Sequence, residues 1–283
     1  MNIGVLFNTD RLDNDEFVHY AKRLDSLGYE SLWLPELFTR DPFAAAGYLL
    51  AETQNIMLAS GIANIYARDP AATVSAASTL AELSDGRFIL GLGVSNPGLN
   101  QTRGHTWENP IDKLSAYLDA MAKVRLTCPQ VQVPVHVAAH GPKMLATVAA
   151  KADGANTYLM PAEHVRVARA ALGPQAELNT MMFCLLDEDP HSARATARKS
   201  IAYYVGLDYY HRAWRSLGFD EPDFADGGSD KLVDAIIAWG NLGQIRARVQ
   251  QQFDNGANRV VILPIGAGMG GQPDWHLLEQ LQA

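Results

Sequence analysis

Strand-like and helix-like runs take turns along almost the whole chain, and that alternation restricts the fold to parallel strands joined by crossover helices. Strands read at Ile3 to Phe7, Ser31 to Pro35, Met57 to Asn64, Arg87 to Val94, Val133 to Ala138, Ala155 to Met160, Leu178 to Leu185 and Arg259 to Pro264. Between them lie amphipathic helices with explicit start signals. Asp13 with Glu16 three residues on forms a capping box, after which Phe17, Tyr20, Leu24 and Leu27 share one face. Asp69-Pro70 and Asn109-Pro110 each place a capping side chain before a proline at the first helical position, and Gly86 follows the stop at Leu83. Eight such units in 283 residues predict an α/β fold of the (β/α)8 TIM-barrel type, with an open doubly wound sheet as the alternative.

No linker or low-complexity tract divides the chain, so residues 1–283 read as a single domain with insertions at the C-terminal face of the barrel near 97–108 and 203–228. The second insertion concentrates Tyr203, Tyr204, Tyr209, Tyr210, His211, Trp214, Phe219 and Phe224, which suits a lid, a substrate wall, helix packing or a subunit interface. A net charge of −8 with no concentrated basic face argues against nucleic acid as a partner, and no apolar run reaches the roughly 18 residues of a membrane helix. The amino-terminal residues enter a strand without a basic region, so a cytoplasmic location is the expectation. Cys128 and Cys184 stand apart without metal-ligand spacing and are assigned no chemistry; no metal is expected.

Barrel enzymes assemble their sites from residues just past the carboxyl end of each strand. That criterion selects Asn8, Glu36, Ser60, Gly61, Ser95, Asn96, His140, Gly141 and the run Gly266 to Gly271. On the fourth strand Phe88, Leu90, Leu92 and Val94 point one way while Ile89, Gly91, Gly93 and Ser95 point the other. One face is therefore nearly bare, leaving either room for a flat ligand or relief of crowding inside the barrel. The run Gly91-x-Gly93-x-x-Asn96 lacks the third glycine and the following helix of a dinucleotide fingerprint. After the fifth strand comes Ala139-His-Gly-Pro-Lys-Met144, where Pro142 opens a helix and the amides of Gly141, Lys143 and Met144 form an anion site suited to a phosphate, with Gly266 to Gly271 as the alternative. Glu36 serves as acid or base, or accepts hydrogen bonds from the next loop. His136 reads as a neutral core histidine and His140 as a proton donor.

Together, Glu30-Ser-Leu-Trp-Leu-Pro-Glu36, Met57 to Asn64, Arg68-Asp-Pro70, Leu83 to Gly93 and Gly141-Pro-Lys-Met144, in this order, resemble the bacterial luciferase-like family of flavin- and deazaflavin-dependent oxidoreductases. The resemblance spans roughly residues 1 to 160 and the last strand. It implies the same barrel, and a cofactor at its carboxyl end held by Asn8, Ser60, Gly61, Gly93, Ser95, Asn96, Ala139, Gly141, Pro142, Lys143 and Met144. The deazaflavin coenzyme F-420 is preferred over FMN because Trp33 to Phe43 resembles that branch, in which a non-prolyl cis peptide, here Ser60-Gly61, ends the third strand. Glu36-Leu37 replaces the Asp-His of the sugar-phosphate dehydrogenases, which leaves Glu36 or His140 as the catalytic proton-handling group. The implied activity is hydride transfer between the deazaflavin and a small organic substrate, in a homodimer whose helix contacts use Ala71, Ala72, Ala76 and Ala77. The alternatives are an FMN-dependent monooxygenase or reductase, a phosphate-binding barrel lyase or isomerase lacking the expected Schiff-base lysine or paired carboxylates, and an inactive flavin-binding protein. A long anionic cofactor tail would draw on Lys143, Arg40, Arg68 or Arg103.

Overall fold

The computed structural model describes residues 1–127, 131–265 and 273–282. Its strands are β1 (Ile3–Leu6), β2 (Ser31–Leu34), β3 (Met57–Ser60), β4 (Ala63–Asn64), β5 (Phe88–Gly93), β6 (Val135–Ala138), β7 (Gly154–Tyr158), β8 (Glu177–Leu186), β9 (Ile237–Gly240) and β10 (Arg259–Pro264). Every pairing is parallel. The order β1-β2-β3-β5-β6-β7-β8-β10 closes on itself through Ile3 opposite Val260, so the predicted eight-stranded barrel is present with helices between its strands.

Two strands lie outside that ring. The run read as one strand from Met57 to Asn64 breaks at residues 61–62, and its second half, β4, pairs with β5 through Ala63 opposite Leu92 and Asn64 opposite Gly93. β9 was not visible in the sequence; it extends the sheet past the end of β7 by pairing with Phe183 to Leu186 of β8.

The helices start where their caps indicate. Asp13 and Glu16 make both halves of the capping box, and Asp69 and Asn109 accept backbone N–H bonds ahead of Pro70 and Pro110. The outward faces of the strands, including Phe88, Leu90 and Leu92, pack against Phe17, Tyr20, Leu24, Leu114 and Leu118. Leu6, Trp33, Ala59, Ile89, Met181, Phe183 and Val261 face inward and join the aromatic insertion in a second core.

Polar side chains fill the amino-terminal end of the barrel interior. Arg259, paired with Glu30, donates to Asn179 Oδ1 at 2.7 Å, and Asn179 in turn donates to Asn156 Oδ1 at 2.8 Å. His136 Nδ1 lies 2.8 Å from Asn179 Nδ2, and burial pushes that imidazole down to about 3, with Arg259 adding to the effect. The core reading of His136 matches this plug, which leaves the opposite, carboxyl end for ligands.

Candidate active site

The bare face of β5 is filled by the end of β3. Ser60 Oγ donates to the Gly91 carbonyl at 2.8 Å and accepts from the Gly91 N–H at 2.9 Å, so its hydroxyl is spent inside the barrel. A Cβ on Gly91 would stand 1.9 Å from the Ser60 carbonyl oxygen; crowding, and not a ligand, requires glycine there. At Gly93 the neighbours are side chains: Ile62, with Cγ1 at 2.8 Å and Cδ1 at 2.9 Å, and the Ala138 Cβ at 3.3 Å. The expectation of open room for a flat ligand is therefore corrected: Ile62 lies across that face. The non-prolyl cis peptide is present at Gly61-Ile62, one bond beyond the expected Ser60-Gly61.

Glu36 sits just past β2 and is only 7 % exposed. Its Oε2 accepts from Arg68 Nη1 at 2.8 Å and from the Asn64 N–H at 2.9 Å, while Oε1 faces Arg103 Nη1 at 3.2 Å. Arg68 also pairs with Asp41, and Arg103 donates to the Leu37 carbonyl at 2.7 Å. The carboxylate thus clips the 97–108 insertion to the mouth. A second clip is buried beside it: Asn64 Nδ2 donates to Asn100 Oδ1 at 2.7 Å, and Asn100 Nδ2 donates to the Val94 carbonyl at 2.8 Å. Tyr66 closes the seam, its hydroxyl accepting from the Glu108 N–H at 3.0 Å and its ring lying nearly parallel to Trp107 at 5.9 Å.

The 97–108 insertion begins as a helix, Pro97–Thr102, which Asn96 caps by accepting from the Leu99 N–H at 2.9 Å. Asn8 likewise caps a short turn through the Asp10 N–H, and Ser95 adopts a φ of 60°. The side-chain oxygens of Asn8 and Asn96 therefore serve the loops that shape the mouth.

The helix Pro142–Lys151 starts bare. Gly141 is its N-cap, no side chain caps it, and a Cβ at Gly141 would meet nothing within 4 Å. Unbonded N–H groups at a helix start attract an anion, and the exposed Lys143 beside them has no carboxylate partner among the described residues. Ala139 is a buried ladder residue donating to the Asn156 carbonyl at 3.0 Å, and the Met144 side chain packs against the outer core. Ala139 and Met144 can therefore contribute only backbone.

His140 follows Ala139 at the mouth. His164 Nε2 lies 2.8 Å from the His140 carbonyl, and the His140 ring stands 5.4 Å from that of Tyr210. Burial, with His164 close by, pushes the His140 imidazole down to about 3, so it is neutral at physiological pH; its Nδ1 is buried and has no partner among the described residues. The aromatic insertion packs on this corner through helices Pro190–Val205 and Asp208–Arg215. Trp214 is fully buried and donates to the Leu159 carbonyl at 2.9 Å. Sequence reasoning missed Tyr158, the last residue of β7, whose position two residues after Asn156 puts it on the interior face. Cys184 is buried, whereas Cys128 and Gly266 to Gly271 lie outside the described residues. Among the described residues no cluster of His, Cys, Asp and Glu could hold a metal ion, and no helix is long and apolar enough to cross a membrane.

The model of the luciferase-like monooxygenase family matches residues 1–259. The chain belongs to that family. Among similar members, the 5,10-methylenetetrahydromethanopterin reductase of Methanolobus tindarius is 27 % identical over 299 residues, covering 89 % of this chain and 91 % of the relative. In structure, the coenzyme F-420-dependent tetrahydromethanopterin reductase of Methanopyrus kandleri superposes with a TM-score of 0.77 at 17 % identity over 99 % of this chain and 97 % of that one. The oxygenating constituent of 3,6-diketocamphane monooxygenase from Pseudomonas putida, in complex with FMN, gives a TM-score of 0.68 at 15 % identity over 100 % and 96 %. The family barrel is thus shared by deazaflavin and FMN proteins.

Proposed function

We propose that this member of the luciferase-like family is an oxidoreductase that transfers hydride between coenzyme F-420 and a small organic substrate at the carboxyl end of the barrel. The observation that carries the reading is the uncapped helix start at Gly141, on the same mouth as Ile62 and beside Lys143, which has no carboxylate partner among the described residues. Its fit to a cofactor phosphate is direct: free amides, a local cation and space where a Cβ would stand. The relatives that act with coenzyme F-420 or on methanopterin substrates favour the deazaflavin.

When bound, the deazaflavin supplies the hydride-carrying ring. The chain supplies the rest. The backbone amides of Gly141, Lys143 and Met144, with the Lys143 ammonium, would hold the phosphate; Gly61 and Ile62 would form the floor, with Gly93 buried beneath Ile62; and the loops begun by Asn8, Ser95 and Asn96 would exclude water. Of the two proton-handling candidates, His140 keeps its buried Nδ1 without a partner among the described residues, while the Glu36 oxygens are engaged by Arg68, Arg103 and Asn64. His140 is therefore the catalytic choice, and Glu36 the residue that positions the mouth.

FMN is the second reading, and one observation favours it. A long anionic tail calls for cations, yet Arg68 and Arg103 are paired with Glu36, and Arg40 donates to the Leu12 carbonyl at 2.6 Å. Of the cations weighed, Lys143 is the one whose ammonium has no hydrogen-bond or carboxylate partner among the described residues. The protein is further proposed to work as a cytoplasmic homodimer without nucleic-acid or membrane partners, Ala71 and Ala72 being exposed on helix Pro70–Leu83. The phosphate site is tested by Gly141→Val. Its backbone, with φ −85° and ψ 156°, suits a β-branched residue, so the variant keeps the melting temperature while cofactor affinity falls at least tenfold. Unchanged affinity would move the phosphate elsewhere.

A further inference from the structure

We propose that the Tyr158–Tyr204 hydroxyl pair is the polar contact of the substrate site, and that this site takes a small molecule with a flat apolar body and a carbonyl oxygen. Tyr158 ends β7 on the interior face, half-buried at the mouth, with its ring 5.9 Å from Phe183 and 5.2 Å from Tyr204. Its hydroxyl donates to Tyr204 Oη at 3.0 Å. That bond fixes the direction of the chain: Tyr204 accepts, and its own proton has no acceptor among the described residues. Tyr204 is itself half-buried, and its ring packs edge-on against Tyr210, which adjoins His140. The rings of Tyr158, Phe183, Tyr204 and Tyr210 therefore form an aromatic wall in which the Tyr204 hydroxyl is a donor without an acceptor among the described residues. Burial raises both the Tyr158 and Tyr204 phenols, so each stays a neutral donor. An aromatic wall bearing such a donor selects a flat carbonyl compound over the matching hydrocarbon, since a site built to hydrogen-bond an oxygen leaves its donor unpaired without one. The inference rests on the hydride-transfer reading only in calling this ligand the substrate.

The test uses the full chain with cyclohex-2-en-1-one and cyclohexene as probes, with and without coenzyme F-420, read by tryptophan fluorescence, Trp214 being 5.2 Å from Tyr210. The wild-type protein binds the enone about tenfold more tightly than the alkene. Tyr204→Phe removes that preference by weakening the enone about tenfold and the alkene less than twofold, whereas Tyr158→Phe, which keeps the donor, weakens the enone less than threefold. Equal weakening of both probes would make the pair a structural staple and overturn the proposal, as would no enone preference in the wild type. Independently of how the variants fold, the infrared carbonyl band of the enone bound to the wild type shifts to lower frequency; an unshifted band also overturns it. If coenzyme F-420 does not bind but the enone contrast persists, the cofactor reading fails and the tyrosine site stands.

Discussion

Arg68 Nη1 lies 2.8 Å from Glu36 Oε2, and the two side chains are 17 % and 7 % exposed. Removing the charge from a carboxylate this buried leaves Arg68 and Arg103 without their shared partner. Glu36→Gln is therefore expected to cost about 3 kcal/mol of folding stability. Urea unfolding reads that loss. Turnover with an identified substrate should fall less than tenfold, because no Glu36 oxygen is left over for proton transfer; a drop of about 10² to 10⁴ at unchanged stability would make Glu36 the acid or base instead.

The two glycines of β5 should respond differently to the same added methyl group. Gly91→Ala drives a Cβ into the Ser60 backbone and is expected to abolish soluble expression. Gly93→Ala meets Ile62 Cγ1 at 2.8 Å and Cδ1 at 2.9 Å, with the Ala138 Cβ at 3.3 Å, so it folds with Ile62 displaced and cofactor affinity lowered, and Ile62→Val, which removes Cδ1, restores part of that affinity. Circular dichroism and cofactor titration separate the pair. Equal tolerance at both positions would show that Ser60 does not pack as described.

His136 and His140 make the native state sensitive to acid. Both are held near a pKa of about 3 by burial, against an ordinary value of 6.5. Between those values the unfolded chain binds protons that the native chain refuses, so stability is full above about pH 6.5 and falls as pH drops. The loss from pH 7 to pH 5 is about 2 kcal/mol for His136 and less for the half-buried His140. His136→Gln should flatten the fall in melting temperature over that range; a wild-type curve already flat from pH 7 to pH 5 would contradict the buried-histidine assignment.

Local chemistry made most of the fold legible. Asp13, Asp69 and Asn109 announced their helices, and the alternation of Phe88 to Gly93 identified the inner and outer faces of β5 correctly. What alternation cannot supply is the occupant of a bare face, because Ser60 and Ile62 reach Gly91 and Gly93 only once β3 has been laid beside β5. The Asn64–Asn100 clip was hidden for the same reason: neither amide has a local pattern, and the contact joins segments 36 residues apart. β9 escaped because Ile237 to Gly240 follows helix Asp230–Ile236 with no turn residue between them. At Gly141 the signal was backbone chemistry, which a Gly-Pro helix start displays in the sequence itself.

Equilibrium titration of the purified protein with coenzyme F-420 and with FMN, followed by cofactor fluorescence at low and high salt, separates the deazaflavin from the flavin reading. Coenzyme F-420 is expected to bind saturably and at least tenfold tighter than FMN, with affinity weakening as salt screens Lys143 and the phosphate. Salt-insensitive binding of FMN with no binding of coenzyme F-420 would overturn the assignment of the deazaflavin to this barrel.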